Sequence, residues 1–234
     1  MSDFNDLETL KKVAWKRVDA IVPRFLMRPL SIRITRLLLK TEVTPTQVTL
    51  LSFALKLLAA LLFLFSNYLL NITAGTLLYF SHVFDCVDGE VARVKNQVTR
   101  SGGLLDLFLD RLGDIGVYFS VTLSLFVSRN DPRMLILGMF VIVSDLFPRT
   151  TIGQQADASR KGADVEHSPA VGKGFKFGLS GKELILLVAS VLDRLPEGMM
   201  VIGIVTFSYI VASFSAAYIS LKRRERCGEP AMLW

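Results

Sequence analysis

The stretch DCVDGEVARVKNQVTRSGGLLDLFLD, Asp85 to Asp110, joins two apolar runs, Leu69 to Phe84 before it and Leu104 to Phe126 overlapping its end. It therefore reads as the end of one helix, a short turn, and the start of the next. Asp85 and Asp88 are three apart, and Asp106 and Asp110 are four apart, so each pair projects from a single helical face. With the two helix ends facing each other, four carboxylates can converge. Ionisable residues at membrane depth are costly and read by default as functional.

Working outward, a spanning helix needs roughly 20 apolar residues. Val48 to Phe65, Leu104 to Phe126 and Gly198 to Leu221 are long runs. Leu69 to Phe84, Met134 to Phe147 and Leu184 to Leu192 are shorter and count as spans through the charge pattern. With six spans, the segments on one side carry nine, three, six and four Lys or Arg, while the other side holds Arg129, Arg133 and Arg194. By the positive-inside rule the rich side is cytoplasmic, together with both termini and the aspartate cluster. The fold class expected is all-α integral membrane: six transmembrane helices (residues 44–222) after an N-terminal amphipathic juxtamembrane segment (1–43), followed by a tail (223–234). Val18, Ile21, Val22, Phe25, Leu26 and Leu30 recur near helical spacing amid Arg and Lys, which fits a surface-lying helix broken by Pro23 and Pro29. An ordinary soluble helix packed on the cytoplasmic face is the alternative.

The whole chain agrees. Its 234 residues are 51% hydrophobic with mean hydropathy +0.45, more apolar than one soluble core needs. The 27 Lys and Arg against 21 Asp and Glu give a net charge of +6. That surplus is sorted by membrane side, so the partners expected are a lipid bilayer and anionic substrates, with no nucleic acid; a homodimer is compatible. Cys86 and Cys227 lie far apart, without metal-ligand spacing, so neither a disulfide framework nor a zinc site is indicated. The charged stretch Met1 to Lys12 does not resemble a cleaved signal.

Four clustered carboxylates repel one another unless protonated or neutralised by cations. Oxygen-only ligands select hard ions such as Mg²⁺ or Mn²⁺, which ordinarily serve phosphate chemistry. Arg93, Lys95 and Arg100 add positive charge for a diphosphate, and Gly89, Gly102 and Gly103 permit close backbone approach to a ligand.

The spacing D-x2-D-G-x2-A-R-x8-G-x3-D-x3-D, met by Asp85, Asp88, Gly89, Ala92, Arg93, Gly102, Asp106 and Asp110, resembles the signature of the CDP-alcohol phosphotransferase family at all eight positions. Thr44-Pro45 with Thr49 resembles the family's Thr-Pro-Asn-x-x-Thr opening of its first span, with Thr46 in place of the Asn. The resemblance implies a six-helix enzyme in which Asp85, Asp88, Asp106 and Asp110 bind one or two Mg²⁺ or Mn²⁺ ions beside a CDP-alcohol. Asp110 would also take the proton of an acceptor alcohol, Arg93 would hold the charge of the departing CMP, and Gly89 and Gly102 would lie against the cytidine, with Ala92 and Thr49 beside them. Within the family, Arg28 to Phe53 and DGEVAR resemble the membrane domains that make di-myo-inositol phosphate phosphate from CDP-inositol. A phospholipid synthase using CDP-diacylglycerol with inositol phosphate or glycerol phosphate is the close alternative.

Other polar positions are less specific. Asp114 either supports a metal ligand or pairs with Arg111. Lys56 lies about two turns into the first span, where snorkelling or pairing with a buried carboxylate accounts for it better than catalysis. Arg149, Arg160, Lys161 and Lys182 either bind an acceptor's phosphate or set topology and touch anionic lipid. His82 and His167 have no partner at metal spacing. A divalent-cation transporter would need carboxylates through the bilayer depth rather than near one face, and a non-catalytic anchor leaves the aspartates unexplained.

Overall fold

Thr44 begins the first long helix by a reciprocal cap. Its hydroxyl accepts from the Gln47 amide, and the Gln47 side chain accepts from the Thr44 amide at 2.9 Å. Pro45 follows at the first helical position, where its missing N–H costs nothing. The computed structural model describes Leu10 and residues 13–14, 27–160 and 181–226. The regular elements among the described residues are helices: α1 (Arg28–Leu38), α2 (Pro45–Phe63), α3 (Tyr68–Val94), α4 (Arg100–Arg129), α5 (Arg133–Arg160), α6 (Lys182–Val191) and α7 (Leu195–Arg226). Asn67 and Thr99 cap α3 and α4 with side-chain oxygens. The turns after α2, α3, α4 and α6 each hold one short polar residue at positive φ: Ser66, Asn96, Asn130 and Asp193.

In the bundle, α3 packs against α1, α2 and α6, α4 against α2 and α5, and α7 against α5 and α6. Small residues admit these contacts. At Gly75 an added Cβ would lie 3.0 Å from the Leu187 backbone, so α3 and α6 cross at close range. The apolar core is built on Ala59, Phe63, Leu78, Val121, Leu186 and Ile202.

Among the described residues, two helical stretches are long and apolar enough to cross a bilayer, Pro45–Phe63 and Leu195–Ala212, and only 39% of each is buried within the bundle. Leu50, Leu57 and Leu61 on α2 and Phe108, Leu112 and Phe119 on α4 are exposed, a surface suited to lipid rather than water. The first half of α4 carries Asp106, Asp110, Arg111 and Asp114, and that charge separates it from the two apolar stretches. The 10 residues of α6 rise about 15 Å, half of the ~30 Å hydrocarbon thickness, so α6 as it stands does not cross unaided.

The described part of the juxtamembrane segment differs from expectation in one respect. Pro29 sits in the first turn of α1, but the stripe that α1 buries, Arg28, Ser31, Ile32 and Thr35, is mostly polar. The reason lies on α3, where Glu90 receives that stripe. Pro23 and most of the residues read as the helix's apolar face lie outside the described residues.

Candidate active site

The five-residue turn between α3 and α4 lets both helices pack against α2, and the aspartates meet beside it. Oxygens of Asp85, Asp88 and Asp106 all lie within 4.8 Å of one another. Such a spacing suits one hard cation bridging oxygen ligands, so the donor set fits Mg²⁺ or Mn²⁺. Asp88 is buried, and Thr49 on α2 donates its hydroxyl to Asp88 Oδ2 at 2.6 Å. A small pocket at this point is lined by Thr49, Ser52, Phe53, Lys56, Asp85, Asp106, Leu109 and Asp110. Three of the four aspartates thus form one group, while Asp110 lies in the same pocket, one turn along α4 from Asp106.

Asp110 has cations of its own. Lys56 Nζ donates to its Oδ1, and Arg111 Nη2 lies 3.4 Å from its Oδ2. Lys56 also reaches Asp114 at 3.0 Å, so it pairs with carboxylates, as its depth in the span suggested. Asp114 contacts Arg111 at 3.3 Å and Lys182 at 3.3 Å as well. Gly113 makes this possible, because a Cβ there would run into the Lys56 side chain.

The residues expected to face the donor lie on α3 and at the start of α4. Arg93 folds back along α3, so that a Cβ on Gly89 would lie 3.2 Å from its guanidinium. Its Nε donates to the Ala14 carbonyl at 2.6 Å. Ala92 is half-buried on the same helix. Gly102 sits over the α4 cap, 3.1 Å from Thr99 Oγ1 through its amide, and a Cβ there would crowd that oxygen. Thr46, the departure from the family's Asn, is exposed on the first turn of α2.

Lys182 is placed differently from a phosphate-binding side chain on an open loop. It is 1% exposed and donates to Asp145 at 2.6 Å. Arg149 and Arg160 belong to α5, but their side chains, with Lys161 and His167, lie outside the described residues. His82, expected to be incidental, stands 3.9 Å from both Asp85 and Glu183, and with Asp85 and Cys86 it forms a second group able to hold a metal.

Two residues escaped the sequence reading. Glu90, inside the motif at a position the spacing leaves free, is fully buried and accepts from Arg28 (2.6 Å), Ser31 (2.7 Å) and Thr35 (2.7 Å). Asp145 is the other. Both were charges inside helices read as apolar or catalytic, and the cost of burying such a charge was the available signal.

A group of three carboxylates able to hold a cation, on a helical bundle with lipid-suited faces, points to the class. The chain belongs to the CDP-alcohol phosphatidyltransferase family, whose pattern matches residues 42–210. It is 32% identical over 110 residues to archaetidylinositol phosphate synthase of Pyrococcus horikoshii, covering 47% of this chain and 57% of that protein. It is 30% identical over 203 residues to the bifunctional IPC transferase and DIPP synthase of Aquifex aeolicus, covering 84% of this chain and 44% of that one. The chain thus spans about half the length of these curated relatives. Its fold is that of the Mycobacterium tuberculosis phosphatidylinositol phosphate synthase. The structure of that enzyme with CDP-DAG bound superimposes with a TM-score of 0.63 at 22% identity, covering 81% of this chain and 92% of the other. Its complex with manganese and citrate gives 0.55 at 23% identity, covering 79% and 83%.

Proposed function

We propose that the chain transfers a phospho-alcohol group from a CDP-alcohol to a hydroxyl of an inositol phosphate, releasing CMP. The observation that carries this reading is the gathering of Asp85, Asp88 and Asp106 within 4.8 Å, with Asp110 lining the same pocket. Asp85, Asp88 and Asp106, with Asp110 at the pocket wall, would hold one or two Mg²⁺ or Mn²⁺ ions, which supply positive charge for the donor's diphosphate. Asp110 takes the proton of the acceptor hydroxyl. The acceptor oxygen bonds to the β-phosphorus as the bond from that phosphorus to the bridging oxygen breaks, and the electron pair leaves on CMP. Arg93, alongside Gly89, balances the charge that CMP carries away, while Ala92 and Gly102 line the nucleotide. Thr49 keeps Asp88 aimed. Arg149 is our candidate for the acceptor's phosphate. Lys182 would first have to give up Asp114 and Asp145.

The donor we favour is lipid-linked, of the CDP-diacylglycerol kind, over a water-soluble CDP-inositol. Phe53 and Leu109 line the pocket, and the outward flanks of α2 and α4 beside it are apolar and exposed. Six crossings, with both termini and the site on the cytoplasmic side, are supported by the sorting of Lys and Arg along the chain.

The test is CMP release by purified protein given CDP-diacylglycerol or CDP-inositol, each with and without inositol phosphate. Release that needs both the lipid donor and inositol phosphate is expected. Equal release from CDP-inositol would sink the lipid assignment, and none from any CDP-alcohol would sink the class.

A further inference from the structure

We infer that Lys56 is a positioning residue for Asp110, locked in place by a closed ring of three cations and three carboxylates drawn from four helices. The inference rests on the reading of Asp110 as the proton acceptor. Around the ring, Lys56 joins Asp110 to Asp114, Lys182 joins Asp114 to Asp145, and Arg111 returns from Asp145 to Asp110. The contacts are 3.0 Å for Lys56 to Asp114, 3.3 Å for Lys182 to Asp114 and 2.6 Å for Lys182 to Asp145. Arg111 closes it at 3.9 Å from Asp145 and 3.4 Å from Asp110, and crosses it at 3.3 Å from Asp114. Lys56 comes from α2, Asp110, Arg111 and Asp114 from α4, Asp145 from α5 and Lys182 from α6.

The ring carries no net formal charge, which is how six ionised groups tolerate burial: every charge has an opposite neighbour. It is also lopsided. Lys56, Lys182, Asp114 and Asp145 are buried, whereas Asp110 is 26% exposed, so the ring opens to the pocket at Asp110. Asp85, Asp88 and Asp106 gather their oxygens within 4.8 Å of one another. Asp110 is held instead by two cations, the Lys56 ammonium on Oδ1 and the Arg111 guanidinium 3.4 Å from Oδ2. Both oxygens are therefore fixed in direction, and a base fixed in direction is what proton transfer requires. Lys182, read from sequence as either an acceptor contact or a charge that sets topology, serves here as the far anchor of the same ring.

The double variant Lys56→Met/Asp114→Asn removes one charge of each sign, which keeps the ring neutral while releasing Asp110. It should bind Mn²⁺, read by electron paramagnetic resonance, as tightly as the unmodified protein, and keep donor KM within about threefold. Its kcat should fall about 10–100-fold, the range for loss of a supporting contact. Gly113→Ala, which displaces Lys56 without altering charge, should shift kcat in the same direction by a smaller factor. Normal kcat in both variants would overturn the inference. So would weaker Mn²⁺ binding in step with kcat, which marks general damage to the site. Asp110→Asn run alongside separates the two claims. If it turns over normally, the base assignment fails and takes the positioning role with it; if it is slow while both ring variants are normal, the positioning role alone fails.

Discussion

Thr49 Oγ1 on α2 donates to Asp88 Oδ2 on α3 at 2.6 Å, tying the Thr-Pro opening of the first long helix to the aspartate motif 39 residues away. The same hydroxyl lies 3.2 Å from the Pro45 carbonyl, so its rotamer is fixed. Thr49→Val keeps the shape and removes the donor. A hydrogen bond to a charged group contributes about 1.5–3 kcal/mol, so Mn²⁺ affinity should fall roughly tenfold or more, while Thr49→Ser stays near normal. Titration with Mn²⁺ checks this, and unchanged affinity in the valine variant would remove Thr49 from the site.

Glu90 anchors α1 through Arg28, Ser31 and Thr35. Glu90→Ala removes the carboxylate paired with the buried Arg28 and should cost about 3–5 kcal/mol, whereas Arg28→Met/Glu90→Met, which removes both charges, should recover much of that loss. Thermal unfolding in detergent distinguishes them. A double variant as unstable as Glu90→Ala would mean that the pair's charges are not the issue.

Gly75 is a control for packing remote from the chemistry. A Cβ there meets the Leu187 backbone at 3.0 Å and Ser190 Oγ at 3.3 Å, so Gly75→Ala should destabilise by about 1–3 kcal/mol. Donor KM in the folded fraction should not move. Denaturation and kinetics on one preparation test both halves.

The exposed turn at Gln97 follows Arg93 and Lys95 on the side rich in basic residues. A cysteine placed there should react with an impermeant thiol reagent only from the cytoplasmic side. Labelling confined to the outer side would invert the proposed topology.

The sequence made some of this architecture legible and not the rest, for physical reasons. Asp85 with Asp88, and Asp106 with Asp110, act within about one turn of helix, so spacing alone places each pair on one face. Ionisable residues grouped at two helix ends also announce themselves by their cost. Lys56 with Asp110, or Lys182 with Asp145, depends on which helix faces which, and no local pattern encodes that. The polar stripe of α1 shows a related limit: helical periodicity reveals that two faces differ, but the buried Glu90 decides which one turns inward. The shortness of α6 was visible as the short apolar run Leu184 to Leu192, and the helix spans Lys182–Val191.

Asp110 is the residue on which the proposed reaction turns: a carboxylate beside the proposed metal-binding trio takes the proton of the acceptor alcohol. The direct measurement is CMP release by Asp110→Asn at saturating donor, with donor affinity measured on the same folded sample and Asp85→Ala for comparison. Asn keeps the size and one ligand oxygen but accepts no proton at neutral pH, so turnover should fall about 10²–10⁴-fold while donor affinity changes little. Asp85→Ala should lose both together. Near-normal turnover in Asp110→Asn would contradict the account and move the proton to another carboxylate or to the substrate itself.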